Sequence, residues 1–381
     1  NCASSLTEDS QVYSVGTSPA ITYSRIQGWT GALGGAGNSG EDPKLVLPSM
    51  NVFQLGCGSS AIDSGNNSLL PYDSKDLDDD NVYYELLPLD YSGEPRRYND
   101  PAAGDIGSGT PPIVDIGAME SQGLPGNCPT RLYVDGNSFS PGDGTSWSNA
   151  FRELTTALAQ AAACCGQVQE IWVAKGKYYP DPYLVDRSSS FQLIEDVALY
   201  GGFAGTETDL SQRDIEANET ILDGDYKGDD SGYNYTDNAY HVVFSQNVSR
   251  SSLLDGFTIR SGYAYGTGGN RAKGAGILNI SSSPTIKNCA IKFNTAPGKT
   301  AQGGGICNLQ SSSPLIQDCS FFWNVAGMAG FAVPADWGNG GAIFNQDSEP
   351  VIVNCQFSSC YANAGSFIHN VDTGSGLKII N

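Results

Sequence analysis

Apolar residues between positions 252 and 357 recur in short runs that are separated by turns rich in glycine, asparagine and proline. Three segments align, each with a glycine-rich turn, an apolar run that ends in asparagine, and a proline followed five residues later by a cysteine: 274–291, 303–321 and 340–357. A degenerate copy covers 252–259. Each repeat predicts a short strand, a turn, a second short strand and a second turn.

Strands this short cannot bury an apolar side alone, but stacking each on its equivalent in the next repeat, about 4.8 Å away, buries it. The repeats therefore predict an all-β fold, a right-handed parallel β-helix. Equivalent isoleucines are expected to stack inside it, in the columns Ile277, Ile306, Ile343 and Ile286, Ile316, Ile352. The alternative, a β-sandwich with unrelated Gly- and Asn-rich loops, would not repeat one Pro-to-Cys spacing three times.

Equivalent asparagines should form a ladder at a turn, because their amides can bond to one another along the axis. The members of this Asn ladder are Asn279, Asn308, Asn345 and Asn370. Equivalent cysteines share another position, where either disulfides or a stack of thiols is open to them. We favour buried thiols, because in-register side chains point alike and a disulfide dihedral would twist them.

A capping α-helix is predicted near 149–163, where apolar residues follow helical spacing among strong helix formers. Further strands are predicted at 170–174, 197–200 and 241–244. Because an exposed strand edge invites pairing, we expect the helix, lying just before the first strand, to cover the open first coil.

The net charge of −21 argues against nucleic acid and anionic membrane surfaces as partners. No apolar run reaches the ~18 residues of a membrane span. Ten cysteines favour an oxidising compartment, and the lack of a Cys-x-x-Cys pair argues against zinc. The chain opens at Asn1 without an initiator Met, as expected of a processed or excerpted segment. We expect an extracellular or cell-surface location.

Several segments resemble secreted bacterial right-handed β-helix domains of the pectate-lyase-like superfamily, more specifically the choice-of-anchor Q domains. Segments similar to the opening of those domains are 132–136, 143–151 and 170–180. Segments similar to a late coil and the C-terminal tail come earlier in the chain, at 18–24, 60–65, 93–96 and 114–120. The resemblance implies that 1–126 are the C-terminal coils and tail of one β-helix domain, and that 127–381 are the cap and first coils of the next.

This inverted order has three explanations: circular permutation, a slice of a longer tandem-repeat polypeptide, or a subunit that donates its end to a neighbour. Read across the ends, Lys378-Ile-Ile-Asn381 followed by Asn1-Cys2 matches Pro284 to Cys289. We therefore expect Cys2 beside Cys355 of an adjacent copy, with Ile379 under Ile352. The residues of this predicted seam are Asn1, Cys2, Cys355, Ile379, Ile380 and Asn381.

An enzyme is the main rival, since the resemblance extends to folds that often carry polysaccharide lyases or glycoside hydrolases. A lyase needs a basic residue beside calcium-binding carboxylates, and a hydrolase needs two carboxylates facing a cleft. The charged residues of the clear coils share no position that would build such a cluster: Lys287, Lys292, Asp318, Asp347 and Glu349. His241 and His369, the latter predicted in a turn, are expected to be structural or solvated. We predict no catalytic residues.

An acidic run could hold calcium through hard oxygen ligands, but it lacks EF-hand spacing and a solvated loop is the simpler interpretation. Its weak candidates are Asp76, Asp78, Asp79 and Asp80. No other cofactor is expected. Sequons would permit surface glycans at Asn66, Asn218, Asn234 and Asn247. Asn279 also lies in a sequon, but its place in the Asn ladder makes it the least suitable acceptor.

These observations predict a non-catalytic structural subunit of an extracellular filament or a tandem-repeat surface fibre. Its partners would be identical copies, joined head to tail so that the β-helix is completed across the 381/1 junction. The alternative is a secreted β-helix domain that binds or cleaves polysaccharide, or an adhesin module.

Overall fold

The computed structural model describes residues 20–26, 28–32, 34–49, 52–91, 93–100, 103–121, 128–138, 142–230, 234–266, 269–327, 338–371 and 376–380. The chain divides into two compact units, 1–126 with 162–165, and 127–161 with 166–381. The boundary after residue 126 coincides with the change from tail-like to head-like motifs. That the first unit is the tail of a β-helix stays a prediction.

The second unit is built from stacked coils whose strands form three parallel sheets. The strands of sheet 1, in chain order and each paired with the next, are Arg131–Val134, Glu170–Ala174, Ala198–Phe203, Leu253–Asp255, Thr285–Lys287, Leu315–Gln317, Val351–Val353 and Lys378–Ile380. Those of sheet 2 are Gly176–Tyr178, Thr220–Asp223, Phe257–Arg260, Ala290–Lys292, Ser320–Phe322 and Gln356–Ser358. Those of sheet 3 are Phe191–Gln192, Val243–Gln246, Ile277–Ile280, Ile306–Leu309, Ile343–Gln346 and Ile368–Val371. A short fourth pair joins Thr295–Ala296 to Val325–Ala326.

The register of the sheets confirms the predicted apolar columns. Ile306 pairs with Ile277 on one side and Ile343 on the other, in sheet 3. In sheet 1, Ile316 lies between Ile286 and Ile352 in the same way. All six isoleucines are at most 1% exposed. A third column in sheet 2 runs through Ile259, Ile291, Phe321 and Phe357.

A single residue in the left-handed region turns the chain from sheet 1 into sheet 2. This residue is Asn288, Asp318 or Asn354 in successive coils, with φ near 50° in each. Asparagine and aspartate tolerate this conformation better than most residues. Asn354 Nδ2 also donates to Asp318 Oδ1 at 2.7 Å, which ties one turn to the next.

The predicted helix is present but begins later than expected, at Leu154, and spans Leu154–Ala163. A 3-10 turn, Trp147–Asn149, precedes it. Buried residues at helical spacing form one face: Leu154, Ala157, Leu158 and Ala161. The expectation that this helix comes before the first strand is wrong, because Arg131–Val134 precedes it and forms the edge of sheet 1.

The first unit has little regular structure in its described residues. One antiparallel hairpin joins Leu45–Ser49 to Val52–Leu55. A second 3-10 turn spans Asn67–Leu69, and a third, Leu210–Gln212, belongs to the other unit. A disulfide joins Cys57 to Cys165; Cys128 and Cys164 are disulfide-bonded as well. No helix within the described ranges is long and apolar enough to span a membrane.

Candidate functional site

The last coil leaves the ends of all three sheets open. Lys378–Ile380, Gln356–Ser358 and Ile368–Val371 are the terminal strands of sheets 1, 2 and 3. Each pairs on one edge only, counting strands among the described residues. Ile379 and Ile380 are 53% exposed, in contrast to the buried isoleucines of the inner coils. Within the described residues, this end of the coil stack therefore presents strand edges without a partner strand and exposed apolar side chains.

The register of the last strand bears on the predicted seam. Ile379 pairs with Ile352, as predicted, and Ile380 with Val353. Lys378 pairs with Val351, the equivalent of Thr285, so the predicted alignment of Lys378 with Pro284 is shifted by one residue. That Cys2 lies beside Cys355 of an adjacent copy stays a prediction. Asn1, Cys2 and Asn381 themselves lie outside the described residues.

The equivalent cysteines form a column of free thiols, as we favoured: Cys289, Cys319 and Cys355. Each Sγ lies 3.5 Å from a carbonyl oxygen of the preceding coil. Burial raises the pKa of Cys319 well above its usual value. A hydrogen bond from Cys319 lowers the pKa of Cys355, which is partly exposed. Cys355 is the most accessible thiol of the column.

The Asn ladder runs through four coils. Each amide donates to the next at 2.6–2.7 Å, from Asn279 to Asn308, Asn345 and Asn370. The predicted location at a turn is wrong, because these residues are the third of each sheet 3 strand. Their side chains share a face with the buried isoleucines two residues earlier. The inner three are fully buried, so every amide needs its neighbour.

A second amide ladder was missed by the sequence analysis. Asn294 donates to Asn324 Oδ1 at 3.0 Å, and Asn324 donates to the backbone oxygen of Ile291 at 2.7 Å. Both asparagines are fully buried. They lie five residues after a repeat cysteine, a spacing that would have predicted the ladder. The third repeat has Cys360 at this position.

Exposed aromatic rings follow the corner after sheet 2 on successive coils. Phe293 and Phe322 meet edge to face at 5.5 Å, and Trp323 and Tyr361 do so at 5.6 Å. All four are between 39% and 47% exposed. We call these residues the aromatic row.

A charged network lies on sheet 2, upstream of the clear repeats. Arg260 forms an ion pair with Asp223 at 2.6 Å, and Lys292 with Glu219 at 3.1 Å. Hydrogen bonding by Thr258 lowers the pKa of Glu219. Glu219, the partner of Lys292, lies upstream of the repeats and was not predicted from the sequence.

The structure gathers only part of the predicted acidic run. Carboxylate oxygens of Asp76, Asp78 and Asp80 lie within 4.8 Å of one another, and Asp79 is not in this group. Asp76 accepts the backbone N–H of Asn81, and Asp80 that of Val82. These side chains are largely solvent-accessible, as the solvated-loop interpretation expects.

A buried acidic cluster in the first unit was not predicted. Oxygens of Asp63, Asp115 and Glu120 lie within 4.8 Å of one another, and all three residues are at most 6% exposed. Arg96 pairs with Glu120 at 2.9 Å. Burial raises the pKa of Asp63 and Asp115 to about 6 and that of Glu120 to about 8. Asp63 Oδ1 is buried without a hydrogen-bond partner.

Neither histidine has the surroundings of a catalytic base. Desolvation lowers the pKa of His241 to about 4, and its Nδ1 lies 3.1 Å from the oxygen of Gly274. His369 lies in a sheet 3 strand, not in the predicted turn, and its ring stacks on Phe344.

The predicted glycosylation sites differ in access. Asn218 is 9% exposed, with Nδ2 directed at the oxygen of Gly202, so it cannot accept a glycan in the folded chain. Asn234 is half-buried and donates to Asp229, and half-buried Asn66 accepts from Ser68. Asn247 is exposed at a turn and is the most accessible of the four.

Comparisons with known proteins agree with this geometry. Residues 231–381 match the family model of the right-handed β-helix region. With the parallel sheets, this match shows an all-β, right-handed parallel β-helix. No curated protein and no solved structure matches the chain. The β-helix fold is used by enzymes and by non-enzymes, so function has to be argued from particular residues.

Proposed function

We propose that this chain is a non-catalytic structural unit of an extracellular filament or tandem-repeat fibre. The proposal rests on the last coil, where three strand edges have no partner strand among the described residues and Ile379 and Ile380 are half-exposed. An identical copy, separate or in the same polypeptide, continues the β-helix there. The resemblance to choice-of-anchor Q domains supports a secreted bacterial protein.

Physical chemistry favours strand addition at this end. Parallel pairing with a further coil would satisfy the edge amides and carbonyls and would cover the apolar side chains. The columns and the Asn ladder repeat from coil to coil, so an added coil can continue both. Such a head-to-tail contact does not close on itself and produces a fibre.

Sedimentation velocity of the purified chain tests this assembly. We expect concentration-dependent polymers from the unaltered chain and monomers from an Ile379→Lys/Ile380→Lys variant. The control is Val185→Lys, an equally apolar but 69% exposed position on a loop, which should still assemble. Monomers of the unaltered chain at all concentrations would refute the proposal.

Cysteine alkylation is a second test of the contact between the last coil and the next copy. In the monomeric variant, iodoacetamide should modify Cys355 first, since Cys289 and Cys319 are buried. In assembled material a further coil should protect Cys355. Equal modification of Cys355 in both states would mean that assembly does not use this end.

A carbohydrate-binding module is the second candidate, and the aromatic row favours it. Exposed rings repeated along one edge suit stacking on sugar faces, and contiguous exposed apolar surface marks interaction sites. Glycan-array binding that is lost in Trp323→Ala/Tyr361→Ala and kept in Tyr183→Ala, another exposed tyrosine, would support this candidate. Turnover of the bound glycan, abolished by a point substitution, would contradict the non-catalytic proposal.

A further inference from the structure

A loop following the sheet 2 strand Thr220–Asp223 concentrates negative charge at one point. Oxygens of Asp225, Asp229 and Asp237 lie within 4.8 Å of one another. Asp225 and Asp237 are each 7% exposed, and Asp229 is half-buried. In the described part of the chain, no lysine or arginine forms an ion pair with any of the three.

Donors within the loop reach both oxygens of Asp225, but only one oxygen each of Asp229 and Asp237. Asp225 Oδ1 accepts the N–H of Gly228 at 2.7 Å, and Asp237 Oδ2 accepts that of Lys227 at 3.0 Å. Asn234 donates to Asp229 Oδ2 at 2.7 Å. Asp229 Oδ1 and Asp237 Oδ1 are then buried with no hydrogen-bond partner.

The residue after Asp237 also carries a buried oxygen without a donor. Asn238 is 1% exposed, and its Oδ1 is also buried without a partner. Its Nδ2 donates to Asp230 and, at 2.7 Å, to the oxygen of Ser261 in the next coil. The loop thus holds uncompensated negative charge and orphaned oxygens, which native proteins avoid unless a ligand satisfies them.

We propose that Asp225, Asp229 and Asp237 bind one calcium ion, with the Asn238 amide oxygen beside them. Carboxylate and amide oxygens are the ligands of hard cations, and Ca²⁺ tolerates irregular geometry better than Mg²⁺. The group contains no histidine or cysteine, which a zinc site would use. Bound calcium fastens this loop to the coils, because Asn238 bridges to Ser261. This site is separate from the acidic run of Asp76, Asp78 and Asp80.

Calcium titration of the full chain, after removal of divalent ions with a chelator, tests the proposal. Isothermal titration should give one site per chain, with Mg²⁺ binding weaker. Terbium should report the same site through energy transfer from Tyr226 and Tyr235, which lie in the loop. We expect affinity in the range of extracellular calcium modules, with Kd on the order of 10⁻⁴–10⁻³ M.

Substitutions distinguish this site from the acidic run. Asp229→Asn and Asp237→Asn keep the side-chain size and should each weaken calcium binding by about ten-fold or more. The matched control, Asp78→Asn/Asp80→Asn, should bind as tightly as the unaltered chain. If Asp237→Asn does not fold, the calcium affinity of Asp229→Asn, at a half-buried position, is enough to test the proposal. Absence of calcium binding, or binding lost in the control and kept in Asp229→Asn, would overturn the proposal.

Discussion

At the residue scale, the buried amides show how much the sequence could predict. The Asn ladder was predictable because its members recur at one repeat position. Its location in strands was not, since no pattern distinguishes an amide facing the core from one at a turn. The buried cluster of Asp63, Asp115 and Glu120 was unpredictable for another reason: its members are up to 57 residues apart and meet only through irregular chain folding.

Replacing Asn308 by alanine should destabilise the fold by about 2 kcal/mol or more, since buried partners on both sides lose a hydrogen bond. Asn308 accepts from Asn279 and donates to Asn345. Urea unfolding measures the change. Asn370→Ala, at the exposed last rung, should cost clearly less. Equal losses of unfolding free energy for the two variants would mean that the amide hydrogen bonds do not stabilise the inner members of the ladder.

Protonation of the buried acidic cluster should give a characteristic pH dependence. A carboxyl whose folded pKa is raised contributes stability that is present at low pH and is lost as pH rises towards that pKa. For Asp115 the window runs from about pH 4 to about 6. Asp115→Asn removes this loss. Between about pH 4 and about 6, the urea midpoint of the variant should therefore fall less, or rise more, than the urea midpoint of the unaltered chain. Parallel pH profiles, measured by urea unfolding without divalent cations, would contradict this.

At the element scale, the sequence predicted the coils after residue 252 and three strands before them: 170–174 is confirmed in full, and 197–200 and 241–244 overlap Ala198–Phe203 and Val243–Gln246. The other strands of the early coils were not predicted. The later coils repeat a fixed spacing, whereas the earlier strands have unequal connections and a register shift between Trp172 and Ala174. Sheet 3 begins with only two residues, Phe191–Gln192. The helix start was predicted five residues early because Asn149–Glu153 contains helix-compatible residues, which form a 3-10 turn and a bridge instead.

A central position of an apolar column tests the stacking energetics. Ile316 is fully buried between Ile286 and Ile352, so Ile316→Ala should cost about 2–5 kcal/mol through the lost methyl groups and the cavity. Leu315→Ala, one residue earlier and only half-buried on the opposite face, is the control and should cost less. Comparable losses of unfolding free energy for the two variants, measured by calorimetry, would mean that Ile316 does not face the core of sheet 1.

At the scale of the whole molecule, the sequence and the structure share one feature. Both show a repeating coil onto which a further coil can stack. The sequence predicts continuation across its ends, and three strand edges of the last coil have no partner strand among the described residues. Lys378 pairs with Val351, one residue later in the coil than the predicted alignment with Pro284 implies. Continuation by an identical copy stays a proposal.

Electron microscopy of the assembled protein tests the central claim most directly, because it images the last coil and whatever pairs with it. We predict filaments in which a strand from the next copy lies parallel to Lys378–Ile380, at the usual inter-strand spacing of about 4.8 Å. Short, monodisperse particles with solvent at this edge would contradict it.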